Sequence, residues 1–276
     1  MQVVEVFRAV AIIALVFVPL EWLLPDRRPP RFSLRRYRVD VLNALGGGLL
    51  IQIGFFAVLA GLLALFPVGL FSHSVHGLPL WLQVPGVLVL ADLGFWIGHR
   101  TVHAVPLLWR FHRIHHSSEH LDWLAAYRVH PVDQIFNSIV IGFPLLLIGF
   151  SPEAVAVHAL VYRWHAILLH SNVRVNLGPL RWLVCTPQFH HWHHADQEDA
   201  YDRNFGGQLV VWDRLFGTAN FAPGKPERYG VDNPPAENFA AHLIGPFLPE
   251  HRQQQPEPIG SKPLQSVRET RLPRPA

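Results

Sequence analysis

Three short stretches of the sequence carry histidines at spacings that suit metal binding. In Gly98-His99-Arg100-Thr101-Val102-His103 two imidazoles stand four residues apart, so on a helix they share a face and can reach one metal. His112-Arg113-Ile114-His115-His116 and His190-His191-Trp192-His193-His194 repeat one offset: His112, His115 and His116 in the first, His190, His193 and His194 in the second. One such pair would be an ordinary polar side chain with its partner, but three stretches are too many for that reading. Together they offer more nitrogen donors than the roughly four to six ligands of one metal, which points to two metals. His130 in Val129-His130-Pro131 and His170 are further candidate ligands, and 14 of the chain's 18 histidines lie between His99 and His194.

The choice of metal follows from what else is present. Cys185 is the only cysteine, so an intramolecular disulfide and thiolate metal sites, iron–sulfur clusters among them, are excluded. Imidazole suits zinc, iron, copper and nickel alike. A zinc hydrolase needs a catalytic carboxylate, and the H-E-x-x-H pattern is absent. A histidine-rich metal transporter needs polar groups spread through several spans, whereas these histidines gather at one end of the apolar runs. Two irons sharing the reduction of O2 can attack an unactivated C–H bond, and a lipid chain offers such bonds.

Half of the residues are apolar, and they fall in long runs broken by basic, proline-containing stretches. The runs are Ala9 to Leu24, Val41 to Leu70, Leu80 to Gly98, Ile135 to Phe150 and Pro152 to Leu169. The first is short enough to compete with a signal peptide, but Pro25-Asp26-Arg27-Arg28 follows it in place of a small-residue cleavage site. Gly46-Gly47-Gly48 in the second marks a kink or a close helix contact. The fourth and fifth meet at Ser151-Pro152 and read as a helical hairpin dipping into or through the membrane. Arg27, Arg28, Arg31, Arg35, Arg36 and Arg38 lie between the first two runs, and the loop from Phe71 to Gly77 has no charged residue. The positive-inside rule puts the arginine loop in the cytoplasm, and every histidine stretch then emerges on that side. The net charge of +3 comes without interleaved aromatic and basic residues, so nucleic acid is not an expected partner.

These stretches resemble the three histidine boxes of the fatty acid hydroxylase/sterol desaturase superfamily. The likeness extends from about residue 85 to 220, through Asp92, Arg128-Val129-His130-Pro131, His170-Ser171-Asn172, Thr186-Pro187, Arg203-Asn204-Phe205-Gly206 and Trp212-Asp213-Arg214-Leu215-Phe216-Gly217-Thr218. It implies an O2-dependent membrane oxidoreductase of lipids with two non-haem irons; its substrate class spans sterols, fatty acyl chains, carotenoids and ether lipids, by hydroxylation or desaturation. Some relatives carry H-x-x-x-H in the hairpin. Here Ala166 stands four before His170, and His165 is one position off, a rotation of about 100° on a helix. His165 is therefore either a ligand or a neighbour of the ligands. Asp92, two turns deeper than His99 on the same face, is expected to accept a ring N–H from a ligand histidine; Asn204, Asp196, Asp199 and Asp202 are alternatives for that role.

The expected fold is all-α: a multi-pass membrane domain of about four spans, the hairpin included, with a cytoplasmic histidine-rich cap. Residues 1–78 are read as N-terminal transmembrane helices, 79–248 as the catalytic domain and 249–276 as a disordered tail rich in Pro, Gln and Arg. No haem, flavin or iron–sulfur motif is present, so electrons must come from an outside donor such as a cytochrome b5-like protein, a ferredoxin or a reductase. No catalytic residue is expected beyond the metal ligands.

Overall fold

A computed structural model describes residues 2–28, 33–66 and 75–248. The tail 249–276 and residues 71–74 of the uncharged loop lie outside those residues. Along the chain run α1 (Gln2–Leu23), α2 (Leu34–Leu42), a π-turn (Asn43–Gly47), α3 (Gly48–Leu65), α4 (Leu80–Ala104), α5 (Pro106–His116), α6 (Pro131–Ile148), α7 (Pro152–His170), α8 (Pro187–His193), α9 (Val211–Leu215) and α10 (Phe239–Ile244). Among the described residues the only β pairing is three isolated bridges.

Among the described residues, four helical stretches are long and apolar enough to cross a membrane: Val4–Leu23, Arg36–Leu65, Leu80–Ala104 and Pro131–Ile148. Helix α7 is not among them. The second arm of the expected hairpin carries Glu153, His158, Arg163 and His165; it packs along α4, with Ala154 in the seam of α4 and α6, and its His170 end meets the cap. The second span begins at Arg36 rather than Val41 and passes through the π-turn, where the glycines fall. Gly46 lies under the Phe239 ring, so that a Cβ there would stand 3.1 Å from it. The expected close contact is therefore with α10.

Helices α4 and α6 form the spine that carries the site. They run antiparallel with almost no gap, since a Cβ on Gly94 would meet the Val140 carbonyl at 3.0 Å. Val87, Ala91, Leu145 and Ala154 fill the seam below. Proline opens α5, α6 and α7, where its missing N–H costs nothing. Helix α1 is tied in by Ile13 and Phe17, packed with Trp123, Leu124 and Ile167. Near its end Glu21 accepts backbone N–H groups from Trp123 at 2.7 Å and Asn172 at 2.9 Å.

Candidate metal centre

Helices α4, α5, α7 and α8 end against one another and bring nine imidazoles together. His99, His103, His112, His116 and His193 form one group, and His115, His170, His190 and His194 another; within each group the ligand atoms lie within 4.8 Å of one another. Helix geometry explains the division. Positions 112 and 116 are about 40° apart around α5, and 115 is about 60° to the other side of 112. One helix thus feeds both groups, and α8 does the same with His193 on one side and His190 and His194 on the other. His116 and His194 stack across the boundary at 4.4 Å between ring centroids.

The hydrogen bonds fix which nitrogen of each ring is free. In the five-histidine group His99 Nδ1 faces the Phe205 carbonyl at 2.9 Å, and His193 Nδ1 faces that of Arg203 at 2.8 Å. His112 Nδ1 faces Asp133 Oδ2 at 3.0 Å, and His103 Nδ1 stands 3.4 Å from Asp202 Oδ1. Carbonyls and carboxylates only accept, so each of these Nδ1 atoms carries the hydrogen and each Nε2 a lone pair. All five Nε2 atoms are buried and without a partner.

In the four-histidine group His115 Nδ1 faces Arg128 O at 3.3 Å and His170 Nδ1 faces Ala166 O at 2.7 Å. Their Nε2 atoms are then both lone pairs, yet they stand 3.0 Å apart. His190 Nε2 lies 3.0 Å from His170 Nε2 and 3.1 Å from His194 Nε2. Lone pairs converge in this way only around a proton or a cation. A proton is disfavoured: burial, and after it the charge of His170, hold His115 and His190 well below the usual 6.5, and burial with His116 does so for His194. Each group can hold a metal ion, and the donor set, imidazole nitrogen throughout, suits a transition metal.

Burial makes the metal-free fold acid-labile. The rings of His191 and His193 are pushed down to about 4 and about 3, chiefly by desolvation. The unfolded chain therefore binds protons that the folded chain refuses, and stability falls as pH drops below about 6.5 toward those values. The metal-free protein in detergent should melt at steadily lower temperature between pH 6.5 and pH 4; a flat profile would contradict the buried neutral rings.

The other candidates are placed differently. His130 lies outside both groups: it caps α6, where Nδ1 accepts the Val132 N–H at 3.0 Å and Nε2 faces Leu243 O at 3.1 Å. A ring with both nitrogens occupied this way has nothing to offer a metal. His165 Nε2 faces Cys185 O at 2.9 Å, as its rotation away from the His170 face implies. The expectation that Asp92 receives a ring N–H is corrected by its partners, the backbone N–H groups of Gln208 and Leu209 at 2.7 and 2.9 Å. Asn204 also braces backbone, bonding Phe189 O at 2.8 Å and Asn220 O at 2.9 Å in the left-handed region at φ 59°.

Asp202, one of the alternatives for receiving a ring N–H, stands 3.4 Å from His103 Nδ1, and a second carboxylate, Asp133 against His112, is one that sequence reasoning missed. In the sequence it is an acid in the first turn after His130-Pro131, indistinguishable from one that merely favours a helix N-terminus. In the fold it is 4% exposed, and Asn137 Nδ2 steadies its other oxygen at 2.9 Å. A carboxylate behind a ligand imidazole fixes ring orientation and raises its basicity. Asp133→Asn should weaken metal binding about 10- to 100-fold with the fold retained, read by Co2+ titration of the metal-free protein; unchanged affinity would remove Asp133 from the site.

Comparison with known proteins agrees with this geometry. Residues 84–218 match the family model described as fatty acid hydroxylase. The ornithine lipid hydroxylase OlsE of Rhizobium tropici is 34% identical over 190 residues, covering 68% of this chain and 56% of that protein. The alkylglycerol monooxygenase of Danio rerio is 36% identical over 155 residues, 56% of this chain and 33% of its own length. The fatty acid hydroxylase vlmA of a Lecanicillium species is 30% identical over 148 residues, 47% of this chain and 40% of its own. The chain thus spans from about half to a third of the length of these relatives. No solved structure matches.

Proposed function

We infer that this chain, which belongs to the fatty acid hydroxylase family through residues 84–218, is an O2-dependent membrane oxidoreductase that holds two non-haem irons and oxidises a lipid. The observation that carries the reading is the pair of histidine groups, one with five unpartnered Nε2 atoms and the other with Nε2 atoms converging to 3.0–3.1 Å. His99, His103, His112, His116 and His193 would hold one iron, and His115, His170, His190 and His194 the other. Two irons bound there would supply the oxidising power that lets O2 attack an unactivated C–H bond. The chain's own residues do the rest. Backbone carbonyls and Asp133 hold the rings in the tautomer that leaves Nε2 free. Trp109 lies against His103 at 4.9 Å, and Phe95 and Phe205 against His99 at 4.9 and 5.7 Å between centroids, which keeps bulk water from one side of the group.

Relatives named as hydroxylases and a monooxygenase favour hydroxylation over desaturation, and their named substrates favour a polar lipid with a long alkyl or acyl chain. The electrons are assigned to an outside donor, and the histidine groups to the cytoplasmic side on the positive-inside argument. We retain residues 1–78 as the membrane-anchoring part and 79–248 as the catalytic part. Histidines gathered into two closed groups, rather than strung through the spans, disfavour a transporter, and Asp133, bonded to His112, is not free to act as the general base of a zinc hydrolase.

Anaerobic purification followed by metal analysis, and O2 uptake with candidate lipids and a chemical or protein reductant, tests the reading. Two irons per chain and an O2-dependent hydroxylated lipid are expected. Zinc alone with no such product would overturn it, and a Mössbauer spectrum without coupled irons in active protein would overturn the two-iron part.

A further inference from the structure

Segment 205–216 of the cap runs back down the side of α4, and segment 178–184 is joined to it by an antiparallel bridge between Val184 and Leu209. Their depth can be read from their partners. Asp92, which binds Gln208 and Leu209, lies seven residues and so about 10 Å before His99 along the helix. It is close to the middle of the 25-residue span Leu80–Ala104.

Non-helical backbone at that depth is tolerable only if its polar groups are paired within the protein. They are. Asp92 takes the N–H groups of Gln208 and Leu209. Asp213 takes those of Phe205 at 2.9 Å and Gly206 at 2.7 Å, together with the Trp96 indole N–H at 3.1 Å. Cys185 N donates to Gln208 O at 2.8 Å and Val210 N to Leu183 O at 2.9 Å. Both carboxylates are fully buried. Their presence in an apolar region is explained by what they satisfy.

The outward side chains of these segments are apolar. Leu180, Trp182, Leu183, Val211, Leu215 and Phe216 are 36–68% exposed. The patch continues onto the outer face of α4, where Phe216 stacks on Trp96 at 4.4 Å and Ile97 is 47% exposed. Arginines lie along it: Arg181 over the Trp182 ring at 5.0 Å, Arg214 bonded to Trp182 O at 3.3 Å, and Arg100 over Trp96 at 5.2 Å. Long cationic side chains against aromatic rings suit the boundary between acyl chains and anionic headgroups.

We propose that segments 178–184 and 205–216 form a wedge set into the bilayer leaflet, with acyl chains covering Leu180 to Leu183 and Val211 to Phe216 and anionic headgroups meeting the arginines. This rests on α4 and α6 crossing the membrane, not on the identity of the metal. The wedge also reaches the site, because Phe205, held by Asp213, offers the carbonyl that orients His99.

The test uses the full chain in vesicles of phosphatidylcholine and phosphatidylglycerol. A nitrobenzoxadiazole probe is placed on Leu215→Cys, with Val211→Cys as a second site and exposed Glu198→Cys as the aqueous control; native Cys185 is buried and escapes labelling. Blue-shifted emission is expected at 215 and 211, quenched by lipids doxyl-labelled on the acyl chain and not by iodide, with the reverse at 198. Iodide quenching at 215 and 211 would overturn the wedge. So would insensitivity to both quenchers, which would mean a protein covers the patch. Metal content, read on the same samples, separates failure of this proposal from failure of the di-iron reading.

Discussion

On the two-iron proposal, His193→Ala should bind one iron where the natural chain should bind two, and should oxidise no lipid. His193 is the member of the five-histidine group that α8 contributes, and its ring centroid lies 4.4 Å from that of His99, 4.9 Å from that of His103 and 4.7 Å from that of His116. Its loss opens the centre of the group. His190 and His194, on the opposite side of α8, keep the four-histidine group intact. The partial loss distinguishes a ligand from a merely structural histidine, whose removal would lower both occupancies together through unfolding. Stability gives a second readout. A metal bound only by the folded chain stabilises it by about 2.7 kcal/mol at a concentration one hundred times its Kd. Titrating iron into the metal-free natural chain should raise its melting temperature in two stages, and in His193→Ala in one. Two irons with full activity in the variant would remove His193 from the site.

The parts of the site legible in the sequence are those governed by short-range periodicity. The i, i+4 pair at His99 and His103 and the repeated offset in α5 and α8 follow from 3.6 residues per turn, and these rings do converge. The one-residue misfit of His165 was readable for the same reason, and its ring turns to Cys185 O. The apolar runs match the four candidate spans, apart from the fifth, since α7, with Glu153, His158, Arg163 and His165, is not apolar enough to count among them. What stayed hidden depends on partners far along the chain. Asp92 reads as a buried acid needing a partner, and a histidine seven residues away is the obvious candidate. The actual partners, Gln208 and Leu209, are more than 110 residues distant. His130 failed for a different reason: a histidine before proline is equally a ligand and a helix cap, and only the free Val132 N–H of α6 decides. The re-entrant path of 205–216 had no signature, since its few apolar residues are too short a run to register as membrane-facing.

Asp213→Ala should be the most damaging single change outside the histidines, and by a route that ends at the metal centre. The carboxylate of Asp213 accepts from Trp96 Nε1, Phe205 N, Gly206 N and Thr218 Oγ1, the last at 2.6 Å. Truncation strands these donors away from water, at about 1–3 kcal/mol each. Even at the lower end that approaches the 5–15 kcal/mol by which a typical domain is stable. No neighbour can move in, because a Cβ on Gly206 would already stand 2.6 Å from Leu209 O and 3.1 Å from Cys185 Sγ. With Phe205 unheld, its carbonyl no longer fixes the His99 tautomer, so whatever folded protein survives should also load metal poorly. Asp213→Asn sharpens the test. Its amide oxygen can keep the cluster of donors at one position, but its NH2 group meets the Gly206 N–H, donor against donor. Melting temperatures and metal content should therefore rank natural chain above Asn above Ala. An alanine variant that melts with the natural chain and loads metal fully would show that the turn holding Phe205 stands without its carboxylate.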